Sequence, residues 1–505
     1  MLKSISVENY RGFKEKTILN FRPLTILLGR NSSGKSSLTR LVPLLQQSLE
    51  RESSSPILWS AEAVDMGTIS DVITHGETGE ELRIGIKIDD LSFLNTLNRI
   101  KRNFVSTDRN DPIDIEYIIR LVADGYRTRF IGIEINYDLQ RLSVDWDIAG
   151  RVTDIRIDGK SYPLHNVSYL VDTKSLFPEI VRMVAKEEVA RASRTPIFYD
   201  PIKDAVSSIV HGRTAKEKVE FLSRSLSYVP RRLAKNTLKS FPNTVAAKLT
   251  ELNINRLSDF SMINDLPFII RFLSSRIAPL FLGSAYIGPS RASGKRFDRI
   301  QELSVNRLDS SGENAAMYVY SLNASERASF NELLIRACGH VLAVEESGPG
   351  HVSVKIARHG QEQFENIADV GFGFSQLVPV IAQLHAVRER NEYDHFGSPN
   401  VLFAVEQPEL HLHPAMQSNL ADLFVGAVKT ASDSERQTTI LVETHSETLV
   451  SQLGVLIAEG EISNNDVAVY FVSKNETDGI SRIKEMAFDE SGIISEWPIG
   501  FFSAS

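Results

Sequence analysis

Residues Gly29, Arg30, Asn31, Ser32, Ser33, Gly34, Lys35 and Ser36 spell GxxxxGK[ST], a spacing whose chemistry is the cradling of a polyphosphate. In such a loop consecutive backbone N–H groups face phosphate oxygens, the Lys35 ammonium reaches the outer phosphates, and the Ser36 hydroxyl can ligate magnesium. Two glycines let the backbone come close. Ser37 follows at the helix start. The pattern implies a nucleoside triphosphate as ligand. A chance match in a Gly/Ser-rich loop is the competing reading, and the flanks oppose it: a buried apolar strand, Leu24 to Leu28, precedes the loop, and Leu38, Leu41, Val42, Leu45 and Leu49 recur behind it at helical spacing. Pro43 is expected to kink that helix.

Three further groups carry chemistry, in a set order. Asp369 to Gln376 holds Gly371, Gly373, Ser375 and Gln376 at the start of an apolar-faced helix, a second candidate anion site. Val401 to Val405 runs into Glu406, Gln407, Pro408 and Glu409, placing carboxylates at the C-terminal end of a buried strand, where phosphate-loop enzymes hold magnesium and attacking water. Ile440 to Val442 runs into Glu443, Thr444, His445 and Ser446, placing a histidine just past the next buried strand.

The elements that must position these groups read as α/β. Val401 to Val405, Thr439 to Val442 and Val467 to Val472 are continuous apolar runs suited to central parallel strands, with an amphipathic helix opened by Pro414 between the first two. Ile115 to Leu121, Thr128 to Asn136 and Leu142 to Asp147 read as an antiparallel sheet with a turn at Asp124-Gly125. From Ser175 to Leu282 the text reads as helical, through Ile180, Val181, Val184 and Val189, then Val219 to Leu226, Val245 to Leu249 and Phe268 to Phe281. Pro196, Pro201, Pro230, Pro242 and Pro267 break any long coiled coil there. The expected organisation is residues 1–160, an inserted helical lobe at 161–284, and 285–505.

Composition bounds the setting. The 505 residues carry 42% hydrophobic and 24% charged side chains with a formal charge of −8, which argues against a surface that coats nucleic acid throughout. The single cysteine, Cys338, cannot form an internal disulfide and suits a reducing cytosol. The N-terminus alternates like a strand rather than a leader, and no apolar run approaches the roughly 18 residues that span a bilayer. A cytoplasmic protein is expected.

Phosphate loop, signature helix, acidic strand end and switch histidine, in that order, resemble the ABC-type ATPase heads of the RecF, SMC and OLD group. Asn9 to Phe13 resembles that group's N-terminal strand end. Gly371 to Gln376, Glu406 to Pro414, Thr444 to Ser446, Tyr286 to Arg291, Glu496 to Pro498 and Gly500 to Phe502 resemble a prokaryotic stand-alone AAA-type branch that includes OLD-like proteins and ATPase subunits of anti-phage systems. The resemblance implies an α/β ABC-type head carrying ATP and Mg2+, with two heads paired head to tail around the nucleotide. It assigns Lys35 to the phosphates, Ser36 and Glu406 to magnesium, and Ser375 to the partner's γ-phosphate, with Gly29, Asn31, Ser32, Ser33, Gly34 and Ser37 of the loop and Gly373 and Gln376 of the second segment expected to line the nucleotide. His445 becomes its sensor and Arg11 a further nucleotide contact.

Two departures qualify that assignment. The resemblance places a catalytic glutamate after the metal-side acid, but Gln407 stands there, and an amide is no general base. Either Glu409 activates water or turnover is slow; slow turnover is expected, because a base displaced by two positions rarely reaches the same water. The glutamine-bearing loop is also unassigned: Gln46 and Gln47 lie too near the phosphate loop, and Met66 to Asp71 carries none.

Other constellations have plainer readings. His411 and His413 lack converging ligands for a metal and read as a turn before a helix. Glu443, His445 and Ser446 lack the nucleophile elbow of a hydrolase. Residues 211–240 hold eight Lys/Arg against Glu217 and Glu220, and this excess suits either DNA or RNA phosphates or a solvated face, with only Phe221 and Tyr228 to stack bases. The expected function is an ATP-dependent, slowly hydrolysing homodimer that controls a separate effector, a nuclease or toxin, in anti-phage defence. The sixty residues after His445 are expected to hold no further nuclease domain, being short for one of ordinary size. The alternatives are a RecF/SMC-like DNA-clamping ATPase and a scaffold that holds ATP permanently.

Overall fold

The computed structural model describes residues 2–74, 80–90, 113–137, 139–162, 168–183, 199–210, 212, 214–225, 231, 250–300, 308–389, 400–432, 437–494 and 497. By its contacts the chain divides into two compact units. Met1–Asn9, Glu52–Ile57 and Glu77–Ala278 form the first, and Tyr10–Arg51, Leu58–Gly76 and Pro279–Ser505 the second.

The first unit is built on an antiparallel sheet in the order Leu2–Glu8, Leu82–Asp90, Ile113–Asp124, Arg127–Tyr137, Gln140–Trp146, Val152–Ile157, Lys160–Ser161. Alternation of apolar residues buries one face, including Ile84, Ile86, Ile119, Ile133, Ile135 and Val144. The hairpin at Asp124-Gly125 closes with Asp124 opposite Arg127, and Gly125 takes φ 61° in it. Helices Tyr199–Ile209, Lys216–Ser225 and Glu251–Leu282 follow. Asp259 on the last of these is buried and accepts hydrogen bonds from Gln140 Nε2 and Tyr162 Oη, both at 2.8 Å, which tie helix to sheet.

One sequence expectation fails in this unit. Ile180–Met183 is a strand paired antiparallel with Ser168–Val171, not part of a helix; four apolar residues are too few for periodicity to separate the two. The helix Glu251–Leu282 runs through Pro267 for 32 residues. The missing N–H leaves one turn without its bond, a cost offset by the buried Ile263, Leu266, Ile269, Ile270 and Leu273 around it. Val184, Val189, Val245 to Leu249, Pro196, Pro230 and Pro242 lie outside the described residues. So do Arg213, Arg232, Lys235, Lys239 and Tyr228 of the basic island.

The second unit is mixed α/β around a six-stranded sheet in the order Ala285–Ile287, Asn400–Glu406, Gln437–Glu443, Leu24–Gly29, Val467–Lys474, Ser481–Met486. The first five strands are mutually parallel and the last is antiparallel. Every residue of Leu24–Gly29 is buried, as a strand covered on both faces requires. Helices Leu41–Glu50, Ala324–Cys338, Phe372–Glu389, Pro414–Ser432 and Glu447–Ala458 accompany it, and Ile26, Phe403, Ile440, Leu377, Leu420, Phe424 and Leu453 are core residues. Pro414 opens its helix at the position where a missing N–H costs nothing. The helix after the phosphate loop comes in two pieces, Lys35–Thr39 and Leu41–Glu50, because Pro43 cannot donate to the Thr39 carbonyl. A hairpin, His340–Glu346 with His351–Arg358, was not anticipated. Among the described residues no helix is long and apolar enough to cross a membrane.

Candidate functional site

The parallel strands end together. Glu406 pairs with Glu443 and Glu443 with Leu27, while Val472 pairs with Gly29, so the chain segments beyond Gly29, Glu406, Glu443 and Lys474 meet at one edge of the sheet. Ligands bind at this carboxyl edge in open α/β sheets. A cavity of about 520 Å³ lies there, lined by the loop from Asn31 to Ser37 and by Arg11, Asp71, Gln407, Glu443, His445 and Lys474.

The loop's glycines are there for close approach. A Cβ on Gly29 would fall 2.2 Å from the Val472 carbonyl oxygen, and one on Gly34, at φ 110°, 3.0 Å from the buried Phe13 ring. Phe13 belongs to the Asn9 to Phe13 segment, whose Tyr10 hydroxyl donates to the Ser37 carbonyl at 3.0 Å. Lys35 Nζ folds back to donate to the Gly29 and Arg30 carbonyls, each at 2.9 Å. Burial lowers its pKa, with Glu443, Glu409 and Glu406 opposing.

The acidic residues divide. Ser36 Oγ donates to Glu443 Oε1 at 2.7 Å, and the Thr39 hydroxyl lies 3.1 Å from Glu443 Oε2. Burial first, and the neighbouring Glu406 carboxylate next, push the Glu443 carboxyl up to about 7. Glu406 is engaged elsewhere: Arg40 donates from Nε and Nη2 at 2.8 and 3.0 Å, and Tyr286 Oη donates at 2.7 Å. The hydrogen bond to Glu406 raises the Arg40 pKa, and burial raises that of Tyr286. Arg291, buried, donates to the Glu406 carbonyl at 2.6 Å, and its burial pulls its pKa down to about 10.

Gln407 lines the cavity at φ 45°, its N–H donating to the Glu443 carbonyl at 2.7 Å. His445 lines it too. Burial, then the Lys35 charge, pull the imidazole down to about 4, so it is neutral at pH 7. Arg11 Nε, Ser33 Oγ and His445 Nε2 are buried with no hydrogen-bond partner among the described residues. Unsatisfied donors beside a glycine-built loop fit a polyphosphate ligand.

The protein family described as "AAA domain, putative AbiEii toxin, Type IV TA system" matches residues 24–451. The chain belongs to this AAA family. Residues 462–503 of this AAA protein match a second family, described as "Protein of unknown function (DUF3696)". No curated protein matches the AAA chain. Solved structures similar to it include the Smc head domain with an extended coiled coil bound to the C-terminal domain of ScpA from Pyrococcus furiosus, at 13% identity and TM-score 0.38, over 96% of each chain. The Smc head domain with a coiled coil and joint from Pyrococcus yayanosii is 12% identical at TM-score 0.38, over 97% of the AAA chain and 98% of the other. The SMC head domain from Thermotoga maritima is 9% identical at TM-score 0.35, over 96% and 98%. Likenesses this distant say nothing of activity or partners.

Of the residues singled out in the AAA sequence, Arg11, the loop from Asn31 to Ser37, Gln407 and His445 come together at the cavity, with Gly29 at the base of the loop. Glu406, Glu409, Gly373, Ser375 and Gln376 do not line it. Glu409 is buried, and its Oε1 accepts the His445 N–H at 2.7 Å; burial raises its pKa. Gly373 lies in the first turn of Phe372–Glu389, where a Cβ would fall 2.7 Å from the His411 carbonyl oxygen. Ser375 is 7% exposed, its Oγ against Gly294, where an added Cβ would sit 2.8 Å away; Gln376 is 2% exposed. The segment over Ser375 is tied down by ion pairs Lys295–Glu313 and Arg296–Asp369.

The remaining constellations resolve simply. Ser446 donates to Gln417 Oε1 at 2.7 Å and caps the helix Glu447–Ala458, so it makes no hydrogen bond to His445. His411 takes φ 61° with its ring 4.9 Å from that of Phe372. Gln46 and Gln47 hydrogen-bond the Ser284 and Leu58 carbonyls at 3.1 and 2.6 Å, as structural ties. Sequence reasoning missed Asp71, Lys474 and Ser481 at the cavity, and Arg40 behind it. Asp71 sits in the very stretch set aside for lacking a glutamine. Lys474 ends the strand beside the phosphate-loop strand, which only the strand order reveals.

Proposed function

We propose that this AAA chain binds ATP with magnesium, hydrolyses it slowly, and uses the bound state to pair with a second copy and control a separate effector. The single observation that carries the reading is the cavity in which the Lys35 loop, Gln407 and His445 face one another. Lys35 exchanges its two loop carbonyls for phosphate oxygens, which are stronger, charge-assisted acceptors. Ser36 would supply a hydroxyl to the metal, and magnesium would add positive charge that offsets the negative charge of the phosphates. Neutral His445 offers Nε2 to the terminal phosphate. Gln407 orients water without removing its proton, which supports slow turnover.

Pairing through Ser375 requires the Ala292 to Arg296 segment to shift, because the Ser375 hydroxyl lies beneath Gly294. The family description, which names a putative toxin of a type IV toxin–antitoxin system, supports a toxin-linked role, and the cytoplasmic setting and the separate effector in phage defence belong to this proposal. The test uses the whole protein from its native host, wild type and Lys35→Ala. Wild type is expected to bind ATP with magnesium, to double in mass by light scattering, and to retain a nuclease or toxin through purification; Lys35→Ala is expected to lose all three. Absence of ATP binding, or rapid turnover of many cycles per second abolished by Lys35→Ala, overturns the reading. Hydrolysis stimulated by duplex DNA would favour the DNA-clamping alternative.

A further inference from the structure

Two glutamates stand in register at the ends of neighbouring parallel strands, Glu406 and Glu443, and both are nearly inaccessible at 1% and 2% exposure. Their surroundings are opposite. Both oxygens of Glu406 are taken by the Arg40 fork, and Oε1 also accepts from Tyr286. Its charge is neutralised by a guanidinium, and it does not line the cavity. Glu443 lines the cavity, has no cation within ion-pair distance among the described residues, and has the Ser36 hydroxyl 2.7 Å from Oε1 and the Thr39 hydroxyl 3.1 Å from Oε2.

We infer that Glu443, and not Glu406, is the acidic partner of the magnesium-binding hydroxyl of Ser36, and that Glu406 with Arg40 and Tyr286 is a neutralised strut beneath it. The inference rests on the nucleotide reading above. A serine hydroxyl has one proton and two lone pairs. Donating that proton to Glu443 Oε1 leaves both lone pairs of Ser36 Oγ for a cation. The carboxylate adds the negative charge that a hard divalent ion needs nearby. Glu406 can do neither while its fork to Arg40 is closed. Glu443 is thus a positioning residue that acts through Ser36.

The experiment titrates ATP into the full chain by calorimetry, once with excess magnesium and once with EDTA, for wild type, Glu443→Gln, Glu443→Asp and Glu406→Gln, and records each melting temperature. Wild type is expected to bind ATP more tightly with magnesium. Glu443→Gln should lose about 10- to 100-fold of metal affinity, as for other outer partners of metal ligands, while keeping its metal-free ATP affinity. Glu443→Asp, which keeps the charge, should recover part of that loss, which a merely structural role would not give. Glu406→Gln should keep the magnesium increment and lower the melting temperature. If Glu443→Gln does not fold, the aspartate variant carries the test with a reduced but measurable increment. An undiminished increment in the Glu443 variants, or its loss in Glu406→Gln, overturns the assignment while leaving ATP binding intact. Wild type that binds no ATP under either condition overturns the nucleotide reading and this assignment with it.

Discussion

Arg40 meets Glu406 in a two-pronged fork, Nε to Oε1 at 2.8 Å and Nη2 to Oε2 at 3.0 Å, with the carboxylate side chain 1% exposed and the guanidinium side chain 30%. Removing the cation strands a buried charge. Arg40→Ala is expected to cost about 3 kcal/mol, at the low end for broken buried pairs because Arg40 keeps some contact with water. Arg40→Lys should recover only part, since an ammonium cannot fork. Denaturant unfolding with an unchanged midpoint in Arg40→Ala would contradict this.

Gln407 faces the cavity where a general base is expected, with an amide in place of a carboxylate. Gln407→Glu should raise the single-turnover rate of ATP hydrolysis by about a hundredfold, within the usual contribution of general-base catalysis. Its backbone N–H bond to Glu443 at 2.7 Å does not depend on the side chain, so the fold should be unaffected. A rate equal to wild type in single-turnover kinetics would show that this position does not contact the attacking water.

Gly373 sits in a helix, where propensity alone says alanine should stabilise by about 1 kcal/mol. The His411 carbonyl oxygen, 2.7 Å from the Cβ that would be added, reverses that expectation. Backbone must move, at a cost of about 1–3 kcal/mol. Gly373→Ala should therefore melt lower than wild type. A higher melting temperature would mean the His411 turn yields freely.

His385 is fully buried, with Nδ1 2.7 Å from the Tyr318 hydroxyl, Nε2 4.0 Å from Glu389, and the Phe330 ring against it. Burial lowers its pKa from the ordinary 6.5 despite the opposing Glu389 and Glu326 carboxylates, and Arg388 lowers it further. The sign follows from linkage: below 6.5 the unfolded chain takes up a proton that the folded chain refuses, so stability falls with falling pH, and above 6.5 the group has no effect. His385→Gln should flatten the slope of melting temperature between pH 6.5 and the lower folded value. An unchanged slope would assign the acid sensitivity elsewhere.

The central strands were legible because full burial demands unbroken apolar runs, and Val401 to Val405, Thr439 to Val442 and Val467 to Val472 each lie inside an observed strand. The antiparallel hairpins were legible from alternation and the Asp124-Gly125 turn. Ile180–Met183 was misread because a short apolar run fits either period. In the site, the loop and His445 are local patterns and were visible. The Ser36–Glu443 and Arg40–Glu406 pairings are not local. They follow from Gln437–Glu443 lying between the loop strand and Asn400–Glu406, an order that no single stretch of sequence encodes.

Among the described residues six that are not glycine hold positive φ, and three of them, Arg11, Ser32 and Gln407, line the cavity, while His411 follows four positions after Gln407. Each such conformation costs of order 1–3 kcal/mol. Glycine or asparagine would relieve it, so these are among the places where a selection for heat resistance alone would act first. Such a selection would exchange Gln407 and Arg11 for side chains that cannot reach into the cavity. On the proposed nucleotide reading, hardiness and ligand binding therefore draw on the same few backbone angles, and a laboratory lineage evolved for one should drift away from the other.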